Sequence, residues 1–499
     1  RLVAIFDHGV PCPRSSLFAA IAIEPMIAAN CVTQKRGEAV MVSQAGAFAR
    51  ADNDVRFASG AMGLRPLAGA LGLGYRAGTC AGIPAGGLYR QRAMNLGSRA
   101  VMLAGSTKAI LLGAAAAIAF SAAASAQTIK IGIVNSYSGF LAQQGDEMEK
   151  GMDLYLKTHQ ANLPPGVKIE LVRRDDGANP ETGKRVAQEL ITRERVQLLF
   201  GIVASPVGAA VAPLAGEAKV PLVLTNAAGS AITRISPYVV RTSFTQWQFA
   251  VPMGQWSAKQ GWKTAITAVS DFIPGHDAEA AFTQGFTEGG GKILSALRFP
   301  PANPDFAPFV QRIKDAKPDV AFLWVPAGAQ ASGMLKAIRD LGVRTAGTKI
   351  VATQDLVPDE ELPNIGEVGD GVISAGNWTS TSDRPANKAF LAAWEKEYQG
   401  KAIADFLSVD AWDGMDMVFD LINATKGKFT GEEAIKYFST WKSDKSPRGP
   451  ISIDPAEREI VQNVYIRRSE FKGGKLVNTD IDTIPDVKDP WKILNPAKK

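Results

Sequence analysis

The chain has 499 residues, with 55 Lys+Arg against 49 Asp+Glu and a formal charge of +6. The excess sits in residues 1–126, which hold 12 basic and 5 acidic side chains. The remainder carries 43 basic against 44 acidic, so it has no nucleic-acid footprint.

All three cysteines (Cys12, Cys31, Cys80) precede residue 127, and all nine tryptophans follow it. The later part therefore has no disulfide to form, which suits an oxidising compartment without proving export. Residues 1–101 scatter Gly, Ala and Arg without a 3.6 or 2 period, as in "MGLRPLAGALGLGYRAGTCAGIPAGGLYRQR". They read as a non-native upstream extension, with a small domain or long leader as the alternative. Met94 or Met102 is the natural start. Residues 102–126 read as a signal peptide. Lys108 gives a positive entrance, "AILLGAAAAIAF" is the apolar run, and "ASA" offers small residues for cleavage after Ala126. The run is shorter than the span of about 20 residues a membrane requires. A lipoprotein would carry Cys at the cut, where Gln127 stands.

From there strands and helices alternate. "TIKIGIV" predicts a strand and "DEMEKGMDLYLKTHQ" a helix with acidic residues in its first turns. "VKIELVRRDD" alternates as a strand. "NPETGKRVAQELITRERV" comes next as a helix capped near Asn179, with Pro180 at its start. "QLLFGIV" and "VPLVLTN" read as strands around the small-residue helix "SPVGAAVAPLAGEAK". A second series begins after "YVVRTSF", with strands "KTAITAVS", "GKILSALRFP", "DVAFLWVP" and "TKIVATQ" separated by helices. After "GVISAGNW", helices are expected near 386–399 and 408–425. The rhythm predicts an α/β protein with two doubly wound, mostly parallel lobes.

Catalytic and metal signatures are missing. The three histidines (His8, His159, His276) form no zinc spacing, and no HExxH, GxSxG or GxxxxGK[ST] occurs. Asp175 and Asp176 stand beside two arginines, where a solvated strand end or interlobe contact outweighs acid–base work. What the sequence offers instead is loops at strand C-termini, where open α/β sheets bind ligands. "NSYSG", "VASPVG", "TNAAGS", "SDFIPGHD", "VPAGAQ" and "ATQD" are rich in hydroxyls and helix-opening N–H groups, which hold a carboxylate without a buried cation.

These segments in this order, from about Thr128 to Asp489, resemble the periplasmic solute-binding proteins of ABC transporters, type I branch. They are most similar to the leucine/isoleucine/valine-binding family. "IKIGIVNSYSGFLAQQGDEMEKGMDLYL", "GIVASPVGAAVAPLAGEAKVPLVLTNAAGS", "YVVRTSFTQ" and "DFAPFVQRIKDAKPDVAFLW" carry the resemblance. It implies two lobes joined by three crossings, one of 127–243 plus 378–449 and the other of 244–377 plus 450–499. A small amino acid or carboxylic acid, branched-chain or aromatic, would bind between them and pass to a membrane permease. The protein would be a periplasmic monomer with no catalysis, cofactor or metal. A ligand sensor of the same fold is the alternative, and would need a transmembrane or signalling segment after residue 499. An enzyme would need a nucleotide or metal motif.

Residue by residue, the resemblance matches Ser205 to the family's carboxylate-binding serine, and Asn226, Ala228 and Ser230 to its second binding loop. Capping the next helix is an equal reading for Ser230. The opening loop supplies Tyr137, Ser138 and Gln144, the last often tryptophan in amino-acid binders. The second lobe supplies Phe272 and His276 beside Pro274, then Ala327. Trp378 is a candidate pocket wall, with ordinary core packing as its alternative. Where amino-acid binders place a glutamate for the ligand ammonium, this chain has Gln354, followed by Asp355. A buried ammonium without an anion is costly, so the substitution favours an acid or amide lacking an α-amine. A branched-chain amino acid stays open if Asp355 takes over that role. For a simple acid, Asp355 is expected to face away from the cleft.

Overall fold

The computed structural model describes residues 127–497. The expected extension (1–101), signal peptide (102–126) and cut after Ala126 lie outside the described residues. Among the described residues no helix is long and apolar enough to cross a membrane.

The first sheet is fully parallel, with spatial order β2-β1-β3-β4-β5. Its strands are β1 (Gln127–Asn135), β2 (Val167–Asp175), β3 (Leu198–Gly201), β4 (Leu222–Leu224) and β5 (Val239–Arg241). β3, β4 and β5 are buried throughout, because parallel strands with helices on both faces must be apolar on both. β2 is the edge strand, and polar residues are scattered along it. The helices are α1 (Ala142–His159), α2 (Pro180–Glu189) and α3 (Ser205–Ala218). The Asn179 side chain caps α2 by accepting from the N–H groups of Glu181 and Thr182, with Pro180 at the first position. α1 begins at Ala142, earlier than its acidic run suggests, so its first turn holds no acid. Asp146 and Glu147 pair with Lys150 instead.

The second sheet runs β11-β12-β13-β10-β9-β8-β6-β7, with β14 beside β13. Its parallel part comprises β6 (Thr264–Ser270), β7 (Lys292–Phe299), β8 (Val320–Trp324), β9 (Lys349–Thr353) and β10 (Ile373–Gly376). Around it lie α4 (Gln246–Lys259), α5 (Ile273–Glu288), α6 (Ala307–Ala316) and α7 (Ala329–Asp340). A Cβ on Gly254 would stand 2.5 Å from Phe282 O, and one on Gly285 would stand 2.2 Å from Val251 O. Only glycine lets α4 and α5 pack this closely.

Four further strands were not expected from the sequence. β11 (Lys442–Ser443), β12 (Ile451–Asp454), β13 (Glu459–Lys472) and β14 (Lys475–Val487) are antiparallel, and β13 joins the parallel part through β10. The second sheet is therefore mixed.

The chain leaves the first sheet after Arg241 and returns after Gly376 through α8 (Pro385–Tyr398) and α9 (Phe406–Thr425). α9 packs on α1: a Cβ on Gly151 would fall 2.0 Å from Ser408 O, and Tyr155 donates to Asp416 at 2.6 Å. After α10 (Gly431–Phe438) the chain crosses again to the second sheet. Because β11 pairs with β12, the expected 449/450 boundary falls inside this passage.

Arg448 fastens the crossings. It is buried, donates to Asp410 (2.8 Å), Asp413 (2.7 Å), Gln462 (2.8 Å) and Ser243 O (2.9 Å), and also bonds Thr242 O. One guanidinium thus holds the first crossing, α9 and β13 together, and its rigid fork of N–H donors suits that task.

Candidate functional site

The strand ends of the two sheets face each other, and a narrow slot with a cavity volume of only about 20 Å³ lies between them. Direct hydrogen bonds hold the lobes closed upon it. Gln144 on α1 donates to Ala327 O across the gap (3.2 Å), and Ala329 N donates to Gln143 Oε1 (3.0 Å).

The wall from the first sheet is set by a strained turn. Gly201 (φ +110°) and Ile202 (φ +65°) swing the chain off β3. A β-branched residue rarely adopts that conformation. It is held here by hydrogen bonds from Ile202 N to Val134 O (2.8 Å) and from Ala227 N to Ile202 O (3.0 Å). Such strain collects at functional sites.

The turn delivers Ser205 to the first position of α3. Ser205 is buried and lines the slot, and its Oγ accepts from Gly229 N at 3.1 Å, which leaves its O–H free to donate. Among the described residues no protein acceptor meets Ala228 N–H. A hydroxyl, a free amide and a helix N-terminus on one wall make an anion cradle. Asn226 braces it, donating to Val203 O (3.0 Å) and Gln144 Oε1 (3.4 Å).

The facing wall is aromatic. Phe272, just before α5, meets Trp324 at 5.5 Å between centroids and Phe140 edge-on at 6.1 Å. Phe272, Trp324 and Phe244 line the slot. At its end Asp355 is buried, and its Oδ2 accepts from Thr353 Oγ1 (2.6 Å) and Gln246 Nε2 (3.2 Å). Burial pushes the Asp355 carboxyl pKa up, and these hydrogen bonds pull it partly back. Asp355 thus faces the slot, the orientation expected for a partner of a ligand ammonium and not the one expected for a simple acid. A carboxyl whose charge is disfavoured by burial can face a ligand acid without strong repulsion.

Of the candidate positions, Gln144, Ser205, Asn226, Ala228, Phe272 and Asp355 line the slot. Ala327 contributes its carbonyl. The other positions lie elsewhere. Tyr137 and Ser138 turn to β2 and α1: Tyr137 donates to Glu149 (2.5 Å), and Ser138 to Asp175 (2.6 Å). Ser230 gives its N–H to Asp277 Oδ2 at 3.0 Å rather than to the slot. His276 is on the surface, paired with Asp271 at 2.7 Å.

Gln354 points into the second sheet, accepting from Asn377 N at 3.0 Å. The tight turn after β9 brings Asp355, not Gln354, into the slot lining. Trp378 is fully buried, bonded to Asn387 (2.7 Å) and edge-on to Phe390, so it is core. Sequence reasoning missed Gln246 and Trp324. Both lie at boundaries between a strand or crossing and the next element, where side chains turn to the cleft. Among the described residues no cluster of three or more His, Cys, Asp or Glu is arranged to hold a metal.

Two facing α/β lobes joined by three crossings, closed over an anion cradle and an aromatic wall, define a binding protein of the type I periplasmic fold. The chain belongs to the periplasmic binding protein family, whose model matches residues 128–475, and it groups with the ABC-transporter solute-binding proteins. It is 38% identical over 371 residues to Leu/Ile/Val-binding protein homolog 6 of Brucella abortus, covering 74% of this chain and 94% of that one. It is 42% identical to a solute-binding protein of an ABC transporter from Rhodopseudomonas palustris BisB5, solved with 3,4-dihydroxybenzoic acid (TM-score 0.71; 73% of this chain, 99% of that one). It is 43% identical to another from R. palustris, solved with 4-hydroxybenzoate (TM-score 0.70; 74% and 100%). Family and neighbours are binding proteins rather than enzymes, and the family is extracytoplasmic.

Proposed function

We propose that this protein is the extracytoplasmic substrate-binding component of an ABC importer, that it takes a small aromatic carboxylic acid between its lobes, and that it delivers the closed complex to a membrane permease as a monomer. The observation that supports this most is the pairing of an anion cradle at Ser205 and Ala228 with a wall of Phe272, Trp324 and Phe244. The cradle suits a carboxylate, and the aromatic wall suits a flat ring. The two R. palustris relatives, solved with hydroxylated benzoic acids, support the same class.

One observation favours a second reading. Asp355 reaches the slot, where it is positioned to pair with an α-ammonium, and the Brucella relative is named for leucine, isoleucine and valine. A thermal-shift panel separates the two, since a ligand that binds the folded state raises apparent stability by mass action. The panel pairs leucine with 4-methylpentanoate, and phenylalanine with phenylpropanoate and benzoate. The aromatic acids are expected to shift the melting temperature most. A shift with leucine, isoleucine or valine and none with any acid would replace this proposal by the amino-acid reading.

A further inference from the structure

One face of α1 looks across the gap between the lobes. Gln143, Gln144 and Glu147 share it at helical spacing. Gln144 reaches Ala327 O, and Gln143 donates to Glu361 Oε2 at 3.2 Å while accepting from Ala329 N. Glu147 is 3% exposed and meets Glu360, the neighbour of Glu361 on the second lobe. Asp405, fully buried at the start of α9 on the first lobe, faces the same pair. Three carboxyls from two lobes converge in the closed form.

The cation beside them is Lys150, which pairs with Glu147 at 2.5 Å and with Asp146 at 2.7 Å. The other groups around the cluster are already engaged. Asp405 Oδ1 accepts from Leu407 N at 2.9 Å. Asp359, which Asp405 also faces, accepts from Ser380 (2.6 Å) and Asn478 (2.8 Å), with Arg467 at 4.0 Å. Glu361 Oε1 accepts from Ser332 at 2.7 Å, and Tyr398 gives its hydroxyl to Lys150 O at 2.8 Å. Glu360 Oε1 finds no donor among the described residues. Two carboxylates in hydrogen-bond contact do not both stay ionised, and one proton between them turns repulsion into a strong O–H···O⁻ bond. With the lobes apart, Glu147 keeps Lys150 on its own helix, and Glu360 returns to water, where such an acid is ionised at neutral pH.

We infer that the closed form binds a proton as a second ligand at the Glu147–Glu360–Asp405 group, so that closing the lobes on a small molecule takes up a proton from solvent. This rests on the reading that the ligand sits between the lobes, and it holds whichever ligand that is. The sign follows from linkage. A site that binds the proton more tightly when closed makes ligand affinity fall as pH rises, by up to about tenfold per pH unit. Burial, then the charges of Asp405 and Glu147, carry this dependence well above the usual carboxylate range.

Calorimetric titration of residues 127–499 with 4-hydroxybenzoate in phosphate and in Tris, buffers of different ionisation enthalpy, counts the protons taken up per ligand bound. Between about pH 6 and 8 the charge of this probe is constant. Asp355 faces the ligand acid and is a second place for a proton, so the reading is the difference between wild type and variant. Glu360→Gln donates to Glu147 at every pH. The wild type is expected to take up about one more proton per ligand than this variant, and its affinity to fall about tenfold to a hundredfold more between pH 6 and 8. Glu147→Gln supplies the donor from the other lobe, should reduce the count likewise, and serves if the first variant does not fold. A merely structural role for either residue would leave the proton count unchanged. The same count in wild type and both variants would overturn the inference and leave the proposed ligand class intact. If 4-hydroxybenzoate does not bind, the aromatic-acid reading falls and leucine is titrated in the same buffers with the same expectation. Binding of neither would overturn both.

Discussion

At the scale of single residues, the cradle and the core make opposite claims. On the proposed reading, Ser205 would give a ligand carboxylate one charge-assisted hydrogen bond, worth roughly 1.5–3 kcal/mol. Ser205→Ala is therefore expected to weaken binding of the aromatic acid about tenfold to a hundredfold by calorimetry, with a smaller loss of stability, about 1–3 kcal/mol, from the unpaired Gly229 N–H. Trp378→Ala should do the reverse. Trp378 is buried against Phe390 and bonded to Asn387. Its removal is expected to cost about 3–5 kcal/mol in urea unfolding while the folded fraction binds ligand normally. If affinity fell and stability held, Trp378 would be a pocket wall after all.

The residue scale also shows where the site is legible in the sequence. Ser205 stands out because a serine opening a helix after a strand has a definite geometry. Gln354 is misplaced by one position, because spacing along a strand does not reveal how a one-turn 3-10 helix rotates the next side chain. Trp324 is hidden because it ends the apolar run "VAFLW", which reads as core throughout.

At the scale of elements, the strands and helices from 127 to 376 are legible from alternation, caps and punctuation. The β13–β14 hairpin is not, yet its signal is present. Gly473 and Gly474 separate the strands by two residues, both with φ positive (+59° and +79°), the two-residue turn that matches strand twist. The flanking strands carry polar side chains on their exposed faces, which weakens the alternation that would announce them. A β-branched residue in that conformation is strained, so Gly473→Val is expected to cost on the order of 1–2 kcal/mol in chemical denaturation. Ligand affinity should not change, because the turn is remote from the slot. An unaffected denaturation midpoint would mean that the turn is not held in this form.

Across the whole molecule, buried carboxyls from both lobes meet. Glu147 on α1 and Asp405 before α9 face Glu360, which comes after the second sheet's β9, with Lys150 and Asp146 beside them. Glu147 Oε2, Glu360 Oε1 and Asp405 Oδ2 are buried and find no donor while all are ionised; protonated Glu360 can donate to Glu147. Burial, then the charges of Asp405 and Glu147, push the Glu360 pKa up to about 10 from 4.5. The folded state thus binds this proton more tightly than the unfolded state. Its contribution to stability is full below about pH 4.5 and is lost as pH rises toward 10. Glu360→Gln imitates the neutral acid at every pH. It is expected to flatten the fall of melting temperature between pH 5 and 9, and to raise stability at pH 8 by on the order of 1–3 kcal/mol. A variant whose pH profile parallels the wild type would show that Glu360 does not hold the proton.

The two-lobed plan is legible from the order of strands, helices and polar loops. The closeness of these carboxyls is not, because it arises only when segments far apart in sequence close upon each other. The claim that unites these scales is that the closed slot recognises an aromatic acid rather than an amino acid. Parallel calorimetric titrations of residues 127–499 with 4-hydroxybenzoate and with leucine test it most directly. The expected result is saturable binding of 4-hydroxybenzoate with a Kd of about 1 μM or below, some −8 kcal/mol, and no measurable heat with leucine. Saturable binding of leucine with none for 4-hydroxybenzoate would contradict it.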